Sequence, residues 1–278
     1  MFLTGDGGDE IFGGYARYER ELSVERTPPL LRSLLGYTAM LMPTGIRGKK
    51  RLSNMRRDLP TRYIEFTKSF PDGFRSYLYD REYFAQVRSH DATERLINEF
   101  RTVSHLDIAA QMQHVDVRHY LADDILVKVD KASMFNSLET RAPLLDHRLA
   151  EYVSSLPTAI RMQPDVLKSL LKKAGAYLLP AEILNRSKQG FSVPIRHWFR
   201  SDLNSYAHDM LLSPHAQQRG IFNPQFIRNL LKEHAEGKRL NHSESIWTLL
   251  CLELWFQAYM DTSSPSIELS VPMRITSN

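Results

Sequence analysis

The sequence predicts a mainly helical chain opened by a short strand. Two observations carry this. An apolar run, Met1 to Leu3, leads straight into a segment holding five of the chain's 13 glycines within its first 14 residues. From Phe12 onward, apolar residues recur at three- and four-residue steps, the spacing that places them on one face of a helix. No internal repeat and no linker that would split a domain interrupts this pattern.

Taken in order, Met1–Leu3 reads as a buried strand, and Thr4-Gly5-Asp6-Gly7-Gly8-Asp9-Glu10 as a turn feeding a helix. A helix over 12–25 is expected to end before Pro28-Pro29, because a residue preceding proline avoids helical geometry. Helices follow over 30–41, closed by Pro43-Thr44-Gly45, and over 60–69, 92–100 and 108–120. Segment 123–134 puts Ile125, Leu126, Val129 and Ala132 on one side, with Lys128 and Lys131 elsewhere on its surface. Helices over 146–156 and 166–178 come next, and Asp146 stands where an N-cap is wanted. The last two helices span 226–235 and 245–259; the second is apolar nearly all round and is expected to be buried. The Ser/Pro/Thr-rich tail, 263–278, is expected to be disordered.

The opening turn carries the chemistry. Gly5, Gly7 and Gly8 allow positive φ and close backbone approach. Amides freed at a helix start attract anions, and a neighbouring carboxylate can hold a hard cation such as Mg²⁺. A magnesium-bound phosphate would suit such a loop, although Gly/Asp-rich segments are more often plain turns. It is neither a Walker A loop, which ends in Gly-Lys-Ser/Thr, nor a complete dinucleotide fingerprint.

Three blocks in one order give the loop a context. Thr4-Gly5-Asp6-Gly7-Gly8-Asp9-Glu10-Ile11-Phe12-Gly13-Gly14-Tyr15 resembles the corresponding segment of the synthetase domain of glutamine-dependent asparagine synthetases. So do Asp123-Asp124-Ile125-Leu126-Val127-Lys128-Val129-Asp130-Lys131, continuing through Arg141-Ala142-Pro143-Leu144-Leu145-Asp146, and Asn185-Arg186-Ser187-Lys188-Gln189-Gly190-Phe191 with Pro194. The resemblance covers roughly residues 1–262. It implies the C-terminal part of an α/β adenine-nucleotide domain (ATP-pyrophosphatase, or HUP-like) that retains only its last core strand. That strand is expected to lack neighbours. The N-terminal nucleophilic cysteine of the family's glutaminase domain has no counterpart, since residue 2 is Phe2 and the single cysteine is Cys251. The family's Ser-Gly-Gly-x-Asp-Ser loop does not occur either. A longer parent, a truncated gene and a split gene are all left open, and the isolated chain is expected to be inactive.

The resemblance further implies an ATP-dependent ligase and amidotransferase. It would adenylate the side-chain carboxylate of aspartate, or a related carboxylate, and amidate it with ammonia from a glutaminase domain. ATP and Mg²⁺ are the implied cofactors. Asp6 and Lys188 align with catalytic positions and Asp9 with the metal ligand, half a site without the missing loop. Gly5, Gly7 and Gly8, together with Lys128, Asp130, Lys131 and Arg141, would line or support the nucleotide and substrate pocket. Arg141 could instead anchor its own loop. Glu10 is expected to cap the helix that follows.

Composition adds exclusions. With 42% hydrophobic and 24% charged residues the chain is an ordinary globular one. One cysteine rules out a disulfide framework. There is no signal-peptide pattern, and no apolar run is long enough to span a bilayer. A cytoplasmic protein is expected, with neither membrane nor nucleic acid as partner; a homo-oligomer or a missing N-terminal part remains open. The basic stretch Arg47-Gly48-Lys49-Lys50-Arg51 with Arg56-Arg57 lacks the aromatic pattern of a nucleic-acid module. His105, His114 and His119 share no i, i+4 face, so zinc is not expected.

Overall fold

The computed structural model describes residues 1–261 apart from Thr44, Gly45, Arg47, Phe66, Pro71, 187–192 and 238–240. The expected disordered tail therefore lies outside the described residues. The chain forms two compact units, one from residues 1–67 with 92–189 and the other from 68–91 with 190–278. Both are mainly helical.

In the first unit, β1 (Phe2–Leu3) is not without a neighbour. It pairs in parallel with β2 (Thr140–Arg141), in register Phe2 to Thr140 and Leu3 to Arg141. The strand is also exposed rather than buried, since Phe2 and Leu3 keep more than half of their surface in solvent. The expected helix over 12–25 divides into α1 (Gly8–Phe12) and α2 (Ala16–Glu25). Gly13, at φ 69°, ends the first in the left-handed conformation that glycine tolerates.

Helices α3 (Pro29–Leu41) and α4 (Lys49–Asn54) form a hairpin, with Pro29 in the first turn where its missing N–H costs nothing. Helix α5 (Leu59–Ile64) starts at Asp58, whose carboxylate accepts from the Thr61 amide. After helix Glu94–Thr102, one long helical run extends from Ile108 to Phe135. Its middle, Asp116–Leu126, is wound wider than an α-helix, as a π-helix. Asp146 does cap helix His147–Ser155, accepting from the Arg148 amide at 3.0 Å. The helix expected from 166 starts only at Ser169, because Lys168 adopts a left-handed conformation at φ 55°.

Two apolar clusters hold this unit. Tyr18, Leu59, Tyr63, Ile64, Phe100, Met112 and Val115 make one. Ile11, Phe12 and Val153, flanked by Leu144, Leu145 and Leu170, make the other. The second unit is built on Leu78, Phe199, Leu211, Ile227, Leu230, Leu231, Ile246, Leu249 and Leu250. Its longest helix, Ser243–Tyr259, buries Ile246, Leu249 and Leu250, while Trp247 and Trp255 remain nearly half-exposed. That helix is one-sided rather than enclosed. No helix of the described residues is long and apolar enough to cross a membrane.

Candidate functional site

The glycine-rich loop is built by its two neighbours in space, the strand pair and the segment after β2. Backbone hydrogen bonds from the Phe2 amide to the Glu139 carbonyl and from the Thr4 amide to the Arg141 carbonyl, both 2.8 Å, fix where the loop begins. Gly7 takes φ 81°, and a Cβ there would come within 2.1 Å of Leu145 Cδ2. A Cβ on Gly8 would approach Leu144 Cδ1 to 2.9 Å, whereas Gly5 has open space around it. Of the three glycines, Gly7 alone has the positive φ and Gly7 and Gly8 the close approach. The tightest glycine was not among them. A Cβ on Gly14 would fall 2.0 Å from Asp9 Oδ1 and 2.4 Å from Lys168 Cε.

Asp9 lies in the first turn of α1, half-buried, and its Oδ2 stands 3.3 Å from Lys168 Nζ. This ion pair was not legible in the sequence, because Lys168 belongs to no motif and falls in a segment that reads as one more helix. Asp6 occupies the turn just before α1, also half-buried. Glu10 does not act as a cap. It is buried and accepts a short hydrogen bond from the Tyr15 hydroxyl. Burial pushes the Glu10 carboxyl above its usual range and does the same to the Tyr15 phenol.

Beneath the loop runs a polar layer. The Gln113 side-chain amide donates to the Glu10 carbonyl at 2.9 Å and to the Ile11 carbonyl at 3.1 Å, and its Oε1 accepts from Arg161. Ser169, next to Lys168, donates to the Arg161 carbonyl at 3.1 Å. Burial pulls the Arg161 guanidinium below its ordinary value. Behind Tyr15, buried Asp116 accepts from Arg17 at 2.8 Å and from the hydroxyls of Tyr18 and Tyr63, each at 2.5 Å. Burial first, and the Asp116 charge second, keep both phenols protonated donors. The Arg17 guanidinium lies 4.2 Å from the Tyr15 ring centre and 4.9 Å from that of Tyr120.

The remaining expected site residues are spread out. Lys128, Asp130 and Lys131 are exposed on helix Val127–Phe135, which has no buried residue and lies against β2. Arg141 is exposed in β2, its Nε bonded to Glu139 Oε1 at 2.8 Å; it anchors the strand pair through its carbonyl. Lys188 lies outside the described residues, as does Arg47 of the basic stretch. Among the described residues no group of three or more His, Cys, Asp or Glu could enclose a metal ion.

The first two sequence blocks thus form one structural unit, with Leu144 and Leu145 filling the space left by Gly8 and Gly7. The asparagine synthase family model matches residues 1–257 of this chain. The chain belongs to the asparagine synthase family. It is 34% identical over 271 residues to glutamine-hydrolyzing asparagine synthetase 1 of Bacillus subtilis (strain 168), covering 96% of this chain and 42% of that protein. A putative glutamine-hydrolyzing asparagine synthetase of Mycobacterium tuberculosis is 34% identical over 275 residues, covering 95% and 40%. The Gallus gallus glutamine-hydrolyzing asparagine synthetase is 29% identical over 199 residues, covering 66% and 33%. The chain spans about two fifths of the length of the first two relatives. No solved structure matches it.

Proposed function

We propose that this chain supplies the C-terminal part of an ATP-dependent, amide-forming ligase of the asparagine synthetase (glutamine-hydrolysing) type. In this reading its helices belong to an α/β adenine-nucleotide domain of the HUP-like class, whose further strands are supplied by the rest of a longer protein. The side-chain carboxylate of aspartate attacks the α-phosphate of ATP and expels pyrophosphate, and ammonia then displaces AMP from the acyl adenylate to leave asparagine. The observation that carries this reading is the packing of Leu144 and Leu145 onto Gly7 and Gly8, between Asp6 in the turn before α1 and Asp9 in its first turn.

Charge builds on phosphate oxygens during adenylation, so cations must be placed in advance. The donor set here, one half-buried carboxylate already facing an ammonium, fits a Mg²⁺ brought in on the nucleotide phosphates rather than a protein-enclosed ion. When bound, that ion would neutralise pyrophosphate oxygens, and Asp9 would hold it. Lys168 keeps the Asp9 carboxylate oriented before the substrate arrives. Asp6, in the turn just before α1, would face the reacting carboxylate. Lys188 would add a compact positive charge at the adenylate and pyrophosphate. Lys128, Asp130, Lys131 and Arg141 would support the pocket wall.

The test is aspartate-dependent exchange of labelled pyrophosphate into ATP, using a longer form that carries the preceding segment beside the isolated chain. Exchange by the longer form, its loss in Lys188→Ala and Asp9→Asn, and none by the isolated chain are expected. Exchange that persists in Lys188→Ala removes this lysine from the reaction. Exchange driven by another carboxylic acid but not by aspartate would reassign the substrate, and none in either form would leave an assembly module.

A further inference from the structure

Residues 26–57 contain eight lysines and arginines and not one aspartate or glutamate. The whole chain carries a net charge of +4, so everything outside this segment is net acidic and the excess positive charge is concentrated here. The segment folds as the α3–α4 hairpin. Helix α3 packs through Gly36 and Ala39, the first tight against the Arg56 stem, and turns a leucine-rich stripe outward. Leu30 is 88% exposed, Leu34 60%, Tyr37 60% and Leu41 87%. Steps of four, three and four residues put these side chains on one line along the helix. Leu31 and Met40 widen the stripe on either side, each about half-exposed. Arg26, Arg51 and Arg56 are exposed in the same segment, and the Arg56 guanidinium lies 5.5 Å from the Tyr37 ring centre, beside the stripe.

Glu25 and Glu65, from neighbouring segments, pair with Arg32 and Arg57. An apolar line in a segment that keeps its other cations and has no acid of its own matches one surface chemistry closely. Leucine side chains gain by leaving water for acyl chains, while guanidinium and ammonium groups stay at the level of anionic headgroups. Tyrosine, with an apolar ring and a polar tip, is suited to the boundary between them. We infer that the α3–α4 hairpin docks this protein, in the plane of the interface, on an anionic lipid surface. The length requirement for a membrane-crossing helix does not bear on a helix that lies flat. A nucleic acid would use the cations but leave the leucines in water. A second copy would bring two acid-free, positively charged segments together over one 13-residue helix, roughly 20 Å of contact.

The experiment is co-sedimentation of the longer form that carries the preceding segment, beside the 278-residue chain, with phosphatidylcholine vesicles, with and without phosphatidylglycerol. Binding by the shorter chain but not by the longer form would assign the stripe to the rest of the protein. Binding is expected only when phosphatidylglycerol is present, and it should weaken as salt is raised. Leu34→Glu with Leu41→Glu should lower affinity at least about tenfold, as expected from withholding two buried leucines. Arg51→Gln and Arg56→Gln should each lower it about fivefold. Leu34, Leu41 and Arg51 are exposed, so circular dichroism and thermal midpoint should stay unchanged in their variants; Arg56→Gln keeps the stem atoms next to Gly36 and should leave the circular dichroism unchanged. Three results overturn the inference: no vesicle binding, equal binding to both vesicle types, or binding indifferent to the leucine pair. A concentration-dependent dimer, seen by sedimentation velocity and dissolved by the leucine pair, would assign the stripe to a second copy instead.

Discussion

The two units solve the problem of a stable interior in different ways. The second unit gathers leucines and isoleucines from four helices, with two buried titratable groups, His234 and Glu253, among them. Arg219 bridges Glu253 at 2.8 Å and also pairs with Asp261. The first unit buries more polar and charged groups and gathers four of them under the glycine-rich loop: Glu10, Gln113, Asp116 and Arg161, each almost wholly out of solvent. Removing such groups from water is costly unless every one is paired, and an apolar replacement is often as stable. A polar layer kept at that cost fixes geometry. It holds the loop backbone through Gln113 and, through Arg161 and Ser169, extends to the residue beside Lys168.

The largest expected effect tests this contrast. Asp116→Ala leaves Arg17 and two tyrosine hydroxyls facing a void, and should cost roughly 3–5 kcal/mol. Leu249→Ala in the second unit, a plain cavity, should cost roughly 2–5 kcal/mol. The two differ in recovery. Asp116→Asn keeps an acceptor oxygen and should regain part of the loss, whereas Leu249→Asn should be worse than Leu249→Ala. Urea denaturation of the four variants provides the check, and a loss below about 1 kcal/mol in Asp116→Ala would remove the distinction between the units.

A smaller effect is expected at Gly14. An added methyl group collides with both members of the Asp9–Lys168 pair, and overpacking of this kind costs about 1–3 kcal/mol. Lys168→Ala removes the Cε that the new methyl would meet. The double substitution Gly14→Ala/Lys168→Ala should therefore cost less than the sum of the two single ones, by at least about 0.5 kcal/mol. Strict additivity in denaturation experiments would mean that Gly14 is needed for something other than room for this pair.

Much of the local structure could be read from the chain, and the reasons are local. Pro28-Pro29 set the start of α3, and Asp146 the cap of its helix, because each acts on its own neighbours. The division at Gly13 was equally local, and two consecutive glycines within the expected helix were the signal for it. What could not be read depends on distant partners. Asp116 meets Arg17, Tyr18 and Tyr63 from 99, 98 and 53 positions away, so nothing in its own segment distinguishes it from a solvated helical carboxylate. Lys168 is the same case, a lysine in a segment read as an ordinary helix, whose importance arises only when Asp9 folds against it. The neighbour of β1 was missed for a different reason. Thr140–Arg141 is only two residues long, too short for strand periodicity to register. Exposure of Trp247 and Trp255 shows that an all-round apolar helix need not be enclosed within the described part of the chain.

The smallest expected effect depends on pH and belongs to the second unit. His234 has no exposed surface; its Nδ1 accepts from the His242 amide at 3.1 Å, and its Nε2 lies 3.2 Å from the Arg196 carbonyl. This pattern requires the neutral ring with its proton on Nε2. Burial lowers the His234 pKa below the ordinary 6.5, and the positive charges of Arg200, His242 and Arg196 act in the same direction, against the hydrogen bond to Arg196. The unfolded chain then binds this proton more readily than the folded one. Stability should accordingly fall as pH drops through 6.5, with a slope of up to about 1.4 kcal/mol per pH unit, and level off below the folded pKa. Asp261, held low by its hydrogen bonds to Arg219 and His215, loses its contribution only below the ordinary 3.8, so the two windows separate. His234→Gln can keep the donor to Arg196 and cannot titrate. Its stability measured by urea denaturation should lose that slope between about pH 6.5 and 5, and an unchanged slope would assign the titration to another group.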